Sequence, residues 1–173
     1  MQARSFPPLI AAHARVLILG SMPGVASLRA QQYYAHPRNQ FWPILGELLG
    51  FDPSADYALR VQALHRAGIA VWDVLAECER DGSLDSAIDT MSEQPNDVPG
   101  LLAAHPSIRR ILFNGHKAAS SLRRHFPGWS VEGTVLPSTS PAHASIAASG
   151  KSEIWRRAVR AALAASNAQP HFE

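Results

Sequence analysis

Four short apolar segments form the clearest pattern in the chain, and each is continuous rather than alternating. They are residues 16–19, 68–72, 108–113 and 131–136. Uninterrupted apolar character is typical of strands that are buried on both faces, as in a parallel sheet. The pattern therefore predicts four strands that share one sheet.

Segments with helical periodicity lie between and after these strands. Residues 41–50, 56–67 and 116–126 each place apolar side chains on one face, and a last helix is predicted from Ser152 as its N-cap. Residues 91–100 are polar and contain two prolines, which predicts a surface loop. Strands that alternate with helices predict an α/β fold, a three-layer α/β/α arrangement around a central, mostly parallel four-stranded sheet.

The chain has 173 residues, 46% of them hydrophobic, which predicts a single domain over residues 1–173 with a core at about 15–165 and a frayed tail at 166–173. No apolar run approaches the roughly 20 residues that a membrane span needs. The amino terminus has no charged segment followed by an apolar one, so we expect no secretory signal. Cys78 is the only cysteine, which excludes an internal disulfide and disfavours a zinc site. We expect a cytoplasmic protein without a metal.

Charge is distributed unevenly, although the formal net charge is only +2. Residues 1–100 hold seven basic and eleven acidic side chains, whereas residues 101–160 hold nine basic and two acidic ones. A basic half is the expected signature of a protein that binds a polyanion. Solvated helix faces give the same composition, so charge supports a nucleic-acid partner without establishing one.

Several common catalytic motifs are missing, including a phosphate loop, a dinucleotide fingerprint, a nucleophile elbow and paired carboxylates at a strand end. Three loops remain. Residues 20–24 and 137–143 follow predicted strands, where open α/β folds bind ligands. Residues 33–42 supply aromatic rings, a histidine, an arginine and an amide before a predicted helix. This mixture suits a pocket that holds a flat base and touches a phosphate.

Together these loops resemble the uracil-DNA glycosylase superfamily. Residues 20–24 correspond to the Gly-Ile-Asn-Pro-Gly first motif of the mismatch-specific uracil-DNA glycosylases, residues 35–42 to their Ala-His-Pro-x-Asn-x-Phe-Trp segment, and residues 136–140 to their Leu-Pro-Asn-Pro-Ser motif. The runs Tyr-Tyr-Ala-His-Pro-Arg-Asn and Leu-Pro-Ser-Thr-Ser-Pro are similar to the hypoxanthine-DNA (deoxyinosine) glycosylase branch, and residues 68–75 add a fourth matching block.

The resemblance implies a monofunctional DNA glycosylase of base excision repair that hydrolyses the N-glycosidic bond of a deaminated base, hypoxanthine first, flipped out of double-stranded DNA. The alternatives are the same chemistry on uracil, xanthine or mismatched thymine, a lesion-binding protein without catalysis, or an enzyme that acts on free nucleosides. No lysine lies near the motifs, so strand cleavage is not expected. The resemblance implies no cofactor, no metal and no membrane, and we expect a monomer that associates with the nucleoid when it acts on DNA.

Individual site residues are carried over at the positions that match. The resemblance implies catalytic roles for Asn39 and Ser138. The residues implied to bind the base are Ser21, Met22 and Tyr34, with stacking by Tyr34. Asp73 and Asn114 each follow a predicted strand, and we expect them to read the base edge. The residues implied to bind DNA phosphates are Arg38, Ser140 and His143. Helix or turn capping is the competing interpretation for Asn39, Asp73, Asn114 and the serines.

Met22 departs from the relatives, which carry an Asp or Asn there to position the attacking water. A thioether cannot accept a proton or orient water, and loss of a positioned acid–base group commonly slows a reaction by ~10²–10⁴-fold. We therefore expect Asn39 or Asp73 to compensate, or catalysis to depend on assistance to the leaving base.

Overall fold

The computed structural model describes residues 1–142 and 146–167. Within these ranges the strands are β1 (Gln2–Arg4), β2 (Val16–Gly20), β3 (Ile69–Asp73), β4 (Leu75–Arg80), β5 (Ile88–Pro95), β6 (Arg110–Asn114) and β7 (Gly133–Leu136). The helices are α1 (Val25–Ala30), α2 (Phe41–Leu49), α3 (Tyr57–Ala67), α4 (Val98–Ala104), α5 (His116–His125) and α6 (Ala148–Asn167). None of these helices combines the length and apolar character that would let it cross a membrane.

The central sheet contains β2, β3, β6 and β7 in the order β3-β2-β6-β7, and every neighbouring pair is parallel. All residues of β2 are buried. Successive side chains point to opposite faces, so Leu17 enters one hydrophobic cluster and Ile18 enters the other. The continuous apolar runs therefore reflect burial on both faces, and the predicted parallel four-stranded sheet is confirmed.

Helices cover both faces of this sheet. On one face α2, α3 and α6 contribute Phe41, Leu64 and Trp155 to the hydrophobic cluster. On the other face α4 and α5 contribute Val98 and Leu122. The predicted three-layer α/β/α arrangement is confirmed, and the three helices predicted before the last one are present as α2, α3 and α5.

A second sheet, antiparallel and in the order β1-β4-β5, adds to the layer that contains α4 and α5. The surface loop predicted for residues 91–100 is wrong, because β5 extends through Pro95 and α4 begins at Val98. In β5 only Ile88 and Glu93 are buried. Because β5 is an edge strand that is largely exposed, its residues are as polar as those of a loop, which explains the wrong prediction. Pro95 is tolerated because it stands at the end of this edge strand.

The last helix begins before its predicted start. Since α6 runs from Ala148, Ser152 lies within the helix and is not its N-cap. Ser149 and Gly150 are weaker helix formers than alanine, which conceals the first turn in the sequence. Of the predicted frayed tail, Ser166 and Asn167 instead belong to α6, and residues 168–173 lie outside the described residues.

The parallel sheet brings the ends of its strands to one edge. Gly20 at the end of β2 pairs in register with Asp73 at the end of β3. On the other side of β2, Asn114 pairs with Leu136 at the ends of β6 and β7. The loops that follow these strands therefore converge at the carboxyl edge of the sheet.

Candidate active site

A cavity of about 340 Å³ opens at the carboxyl edge of the sheet. Nine of the ten residues predicted for the site line it, namely Ser21, Met22, Tyr34, Arg38, Asn39, Asp73, Asn114, Ser138 and Ser140. The tenth, His143, lies outside the described residues. Residues far apart in the sequence thus meet in one place because the sheet is parallel.

The loop after β2 forms one wall of the cavity. The Ser21 carbonyl accepts a hydrogen bond from the Leu75 N–H at 3.1 Å, and the Ser21 hydroxyl donates to Asp85 Oδ1 at 2.6 Å. Met22 is buried and packs in the hydrophobic cluster on the α5 side of the sheet. Because the Ser21 hydroxyl is already engaged, this wall offers a ligand its backbone and the thioether of Met22.

Asp73 ends β3 with its carboxyl group beside Gly20. A Cβ atom at position 20 would lie 2.5 Å from Asp73 Oδ1 and 3.1 Å from the Tyr34 hydroxyl, so only glycine leaves room for both. Asp73 is 3% exposed, and its Oδ2 has no hydrogen-bond partner within the described ranges. Burial and then the charge of Asp85 raise the pKa of Asp73 to about 7, although Arg80 lowers it. This carboxyl group therefore changes its protonation state near neutral pH.

Tyr34 adopts a left-handed backbone conformation with φ of 54°, which is uncommon for a large side chain and marks a constrained position. Its ring stacks on Phe41 with centroids 4.1 Å apart and planes 25° from parallel. Burial and the nearby Asp73 carboxyl raise the pKa of Tyr34 well above its usual range. One face of the ring is covered by Phe41, so a ligand can contact only the remaining surface.

The Asn39 side chain is oriented by the start of α2. Its Oδ1 accepts a hydrogen bond from the Phe41 N–H at 3.0 Å. Gln40 is the N-cap residue of α2 and makes no side-chain capping bond, so Asn39 supports the start of the helix from one residue before the cap. Since Oδ1 is held in this way, the amide NH₂ is the group that Asn39 can offer to the cavity it lines.

The turn before Asn39 is held by a histidine. The Arg38 N–H donates to His36 Nδ1 at 3.1 Å. The Arg38 side chain is exposed and is the only lysine or arginine that lines the described part of the cavity. None of the described basic residues of 101–160 lines it.

The loop after β7 is tied to the end of β6. Buried Thr139 donates its N–H to Asn114 Oδ1 and accepts from Asn114 Nδ2 at its hydroxyl, each at 2.9 Å. Ser138 Oγ accepts from the Ser140 N–H at 3.2 Å, and Ser140 Oγ accepts from the Ala142 N–H at 3.3 Å. Asn114 thus uses most of its hydrogen-bonding capacity on the loop, whereas neither serine hydroxyl donates a hydrogen bond to any of the described residues.

A family model described as "Uracil DNA glycosylase superfamily" matches residues 7–164. The chain belongs to the uracil DNA glycosylase superfamily. A relative from Methanosarcina barkeri, described as "Hypoxanthine DNA glycosylase", is 41% identical over 119 residues, which cover 68% of this chain and 74% of the relative. A relative of the same description from Methanosarcina acetivorans is 37% identical over 161 residues, which cover 92% of this chain and 99% of the relative.

A solved structure gives the same assignment. The solution NMR structure of a candidate uracil DNA glycosylase from Methanosarcina acetivorans is similar to this chain with a TM-score of 0.78 and 36% sequence identity. The likeness covers 94% of this chain and 99% of that protein. The superfamily fold therefore extends over nearly the whole chain.

For a member of the uracil DNA glycosylase superfamily, a buried thioether at Met22 in the first motif leaves that position without an acid, a base or an amide. The carboxyl groups that line the cavity instead belong to Asp73 and Asp85. Across residues 1–142 and 146–167, no group of three or more His, Cys, Asp or Glu side chains is arranged to hold a metal ion. Within this part of the chain, Asp73 is the cavity residue that combines a carboxyl group with a pKa near neutrality.

Sequence reasoning missed one wall of the superfamily cavity, the segment between β4 and β5. Ser83 and Asp85 from this segment line the cavity, and the Val25 N–H donates to Ser83 Oγ at 2.9 Å. The pair Asp81-Gly82, with Gly82 at φ of 73°, is a turn signal between two strands and locates this hairpin in the sequence. The signal does not reveal that the hairpin folds onto the cavity.

Proposed function

We propose that this member of the superfamily hydrolyses the N-glycosidic bond of hypoxanthine in double-stranded DNA and leaves an abasic site, as a step of base excision repair. The observation that carries the proposal is the convergence of nine predicted site residues on one cavity. Two relatives described as hypoxanthine DNA glycosylases, at 41% and 37% identity, support hypoxanthine as the base.

The substrate base reaches the cavity by leaving the DNA stack, at a cost of a few kcal/mol that is smaller for a mispair. The cavity of about 340 Å³ is in the range of sites that bind small ligands. Tyr34 contacts the base with the ring surface that Phe41 leaves free, and Ser21 and Met22 contact it from the first-motif wall. Asp73 and Asn114 lie beside the base edge.

Bond cleavage places negative charge on the departing base. The electron pair of the N-glycosidic bond moves to the base nitrogen, water adds to the anomeric carbon of the oxocarbenium-like sugar, and the proton from water ends on the base. Asn39 donates from its NH₂ group to the departing base, since its oxygen is engaged by Phe41. The Ser138 hydroxyl is the second donor, and one such donor is worth ~10²–10³-fold in rate.

Contacts with the DNA backbone come from Arg38 and Ser140, and from His143 on the evidence of the sequence alone. Side-chain hydroxyls, guanidinium groups and imidazoles are suitable donors to phosphate. No lysine lines the described part of the cavity, which supports a monofunctional enzyme without a Schiff-base step. We also propose that the enzyme acts as a monomer in the cytoplasm, where it associates with the nucleoid.

The test is base release from labelled duplexes that carry hypoxanthine, uracil, xanthine or a G·T mismatch, with alkali added to reveal abasic sites. We expect hypoxanthine to be released fastest. Faster release of another base moves the assignment to that base. Tight binding to lesion duplexes without release of any base replaces the proposal with a lesion-binding protein.

A further inference from the structure

Arg80 is a buried cation immediately behind the first-motif wall. It ends β4 and is 1% exposed. Its Nη2 donates to the Pro23 carbonyl, whereas Nε and Nη1 are buried and have no hydrogen-bond partner within the described ranges. No carboxylate in these ranges forms an ion pair with it. Burying a guanidinium without a counter-ion costs free energy. The contact with Pro23 is therefore the feature that can explain why an arginine stands at this position.

The contact with Pro23 determines which way the next amide points. The peptide bond between Pro23 and Gly24 is trans, so its C=O and N–H point in opposite directions. Pro23 and Gly24 line the cavity and Arg80 does not. Since the carbonyl is held toward Arg80, the Gly24 N–H points away from Arg80, and Gly24 itself lines the cavity. This N–H has no acceptor among the described residues.

We propose that Arg80 is a positioning residue that fixes the Pro23–Gly24 peptide so that the Gly24 N–H donates to the base as it departs. The inference rests on the proposed glycosylase function. Negative charge appears on the base only as the bond breaks, and a preorganised donor aimed at that charge stabilises the transition state more than the bound substrate. A guanidinium bound to the carbonyl of the same peptide polarises it and strengthens the N–H as a donor.

The composition of the cavity explains why such a device is needed. Met22 offers no polar group to the base, and two carboxyl groups, Asp73 and Asp85, line the cavity. Where these groups are ionised, their charge opposes negative charge on the base. The field of Arg80 reaches this region, since it lowers the pKa of Asp73 against the effects of burial and Asp85. The polarised Pro23–Gly24 peptide presents a stronger N–H donor to the departing base, and the guanidinium itself does not contact the base.

The first experiment compares Arg80→Met with Arg80→Lys under single-turnover conditions on duplexes that carry hypoxanthine or 2-fluorohypoxanthine. The fluorine makes the base a better leaving group with little change in size. We expect Arg80→Met to slow hypoxanthine release roughly tenfold to a hundredfold, to slow 2-fluorohypoxanthine release less, and to leave duplex affinity unchanged. Arg80→Lys should restore part of the rate.

Arg60 provides a matched control, because its Nε donates to the Ala55 carbonyl at 2.9 Å and it does not line the cavity. Arg60→Met removes a comparable guanidinium–carbonyl bond and should preserve the leaving-group dependence. Two results would overturn the inference while the proposed function stands. One is that Arg80→Met slows the release of hypoxanthine and of 2-fluorohypoxanthine equally. The other is that Arg80→Met and Arg60→Met show the same difference between the two bases. Absence of base release by the unmodified protein overturns the proposed function itself.

A second pair of variants tests the donor directly and does not depend on whether Arg80→Met folds. Gly24 has φ of −72°, close to the value fixed by proline, so Gly24→Pro removes the N–H and suits the φ angle at this position. Gly24→Ala keeps the N–H and makes the same contact of its Cβ with Ser83, whose Oγ would lie 3.3 Å away. We expect Gly24→Pro to be ~10²–10³-fold slower than Gly24→Ala. Adding Arg80→Met to Gly24→Pro should slow base release little further, because the N–H that Arg80 positions is already gone. If the two substitutions slow release independently, Arg80 does not act through the Gly24 N–H.

Discussion

The Gln40 N–H donates to the Thr139 carbonyl at 3.0 Å, which joins the Asn39 turn directly to the loop after β7. Thr139 is in turn bound by Asn114, so one continuous set of hydrogen bonds connects three walls of the cavity. The positions of Asn39 and of the two serines beside Thr139 are therefore coupled. A change at the end of β6 is expected to move residues on the far side of the site.

Asn114→Ala should reduce both stability and activity. It leaves the buried Thr139 N–H and hydroxyl without partners, which costs about 1–3 kcal/mol of unfolding free energy. Base release should fall as well, because the loop that carries Ser138 loses its anchor. Thr139→Val removes only the hydroxyl and should cost less in urea denaturation. An Asn114→Ala protein as stable and active as the unmodified chain would show that the loop is held by other contacts.

Asn39 is expected to act through its NH₂ group, and two variants separate this group from the oxygen. Asn39→Ala should slow turnover by ~10²–10³-fold with duplex affinity nearly intact, and it should also lose about 1 kcal/mol of stability at the start of α2. Asn39→Asp keeps an acceptor for the Phe41 N–H and should be as stable as the unmodified protein but as slow as Asn39→Ala. If Asn39→Asp retains its rate, the residue acts on the attacking water instead.

Tyr34→Ala should weaken productive binding of every accepted base, because stacking on a ring is worth ~1–3 kcal/mol and depends little on the base. The readout is the concentration dependence of single-turnover release for hypoxanthine and uracil duplexes. Tyr34→Phe retains the stack on Phe41 and removes only the hydroxyl. Equal losses in the two variants would assign the effect to the hydroxyl, and a loss for one base alone would show that Tyr34 reads the base.

Asp73→Asn should change how stability depends on pH. An unfolded aspartate ionises near its ordinary pKa of 3.8, whereas burial and Asp85 keep native Asp73 protonated up to a pKa of about 7. Between these values the unfolded chain binds fewer protons than the native one, so this group destabilises the protein as pH rises from about 4 to about 7. Asparagine has no proton to lose. The gain in unfolding free energy from Asp73→Asn, measured by urea denaturation, should therefore be absent at pH 4 and grow to at most about 4 kcal/mol at pH 8. Parallel plots of unfolding free energy against pH for the two proteins would contradict this.

The sheet and the edge at which the cavity opens follow from local sequence, whereas most residues of the candidate site come from the resemblance of three loops to a known family. Continuous apolar runs such as residues 16–19 have to be buried on both faces, and parallel strands bring their carboxyl ends together. The second sheet could not be predicted in the same way. Its strand β5 buries only Ile88 and Glu93, so its pattern carries no clear period of two. The Ser83–Asp85 wall depends on how that sheet packs, which local sequence does not specify.

Charge illustrates the same limit. The basic excess of residues 101–160 predicts a polyanion-binding face, yet Lys117 and Arg124 bind the buried Glu93. Arg110 begins β6, at the end of the sheet opposite the cavity. Composition counts these charges equally, whereas burial and pairing decide which of them remain available to a ligand. The role proposed for Arg80 rests on its burial without an ion-pair partner among the described residues. Neither property can be read from the sequence around it.

Glu93 is expected to be the most sensitive structural carboxylate outside the cavity. Its side chain is fully buried and contacts Lys117 at 2.5 Å, His125 at 2.8 Å and Arg124, so it ties β5 to α5. Glu93→Gln leaves Lys117 and Arg124 without this counter-ion and should cost about 3 kcal/mol of unfolding free energy at pH 7. Glu77→Gln is the matched control, since Glu77 on β4 pairs with the exposed Arg4 at 2.8 Å and its loss should cost less than about 1 kcal/mol.

The cost of Glu93→Gln should depend on pH with a definite sign. Burial alone would raise the pKa of Glu93, but hydrogen bonds from Lys117 and His125 and the charges of Lys117 and Arg124 hold it below its usual range. The stabilisation is therefore complete above the ordinary glutamate pKa and is lost as pH falls through the lower native value. Urea unfolding of both proteins from pH 7 to pH 3 should show the difference shrinking only at the acid end. A difference that stays constant over this range would mean that Glu93 stabilises the α5 contact by shape and not by charge.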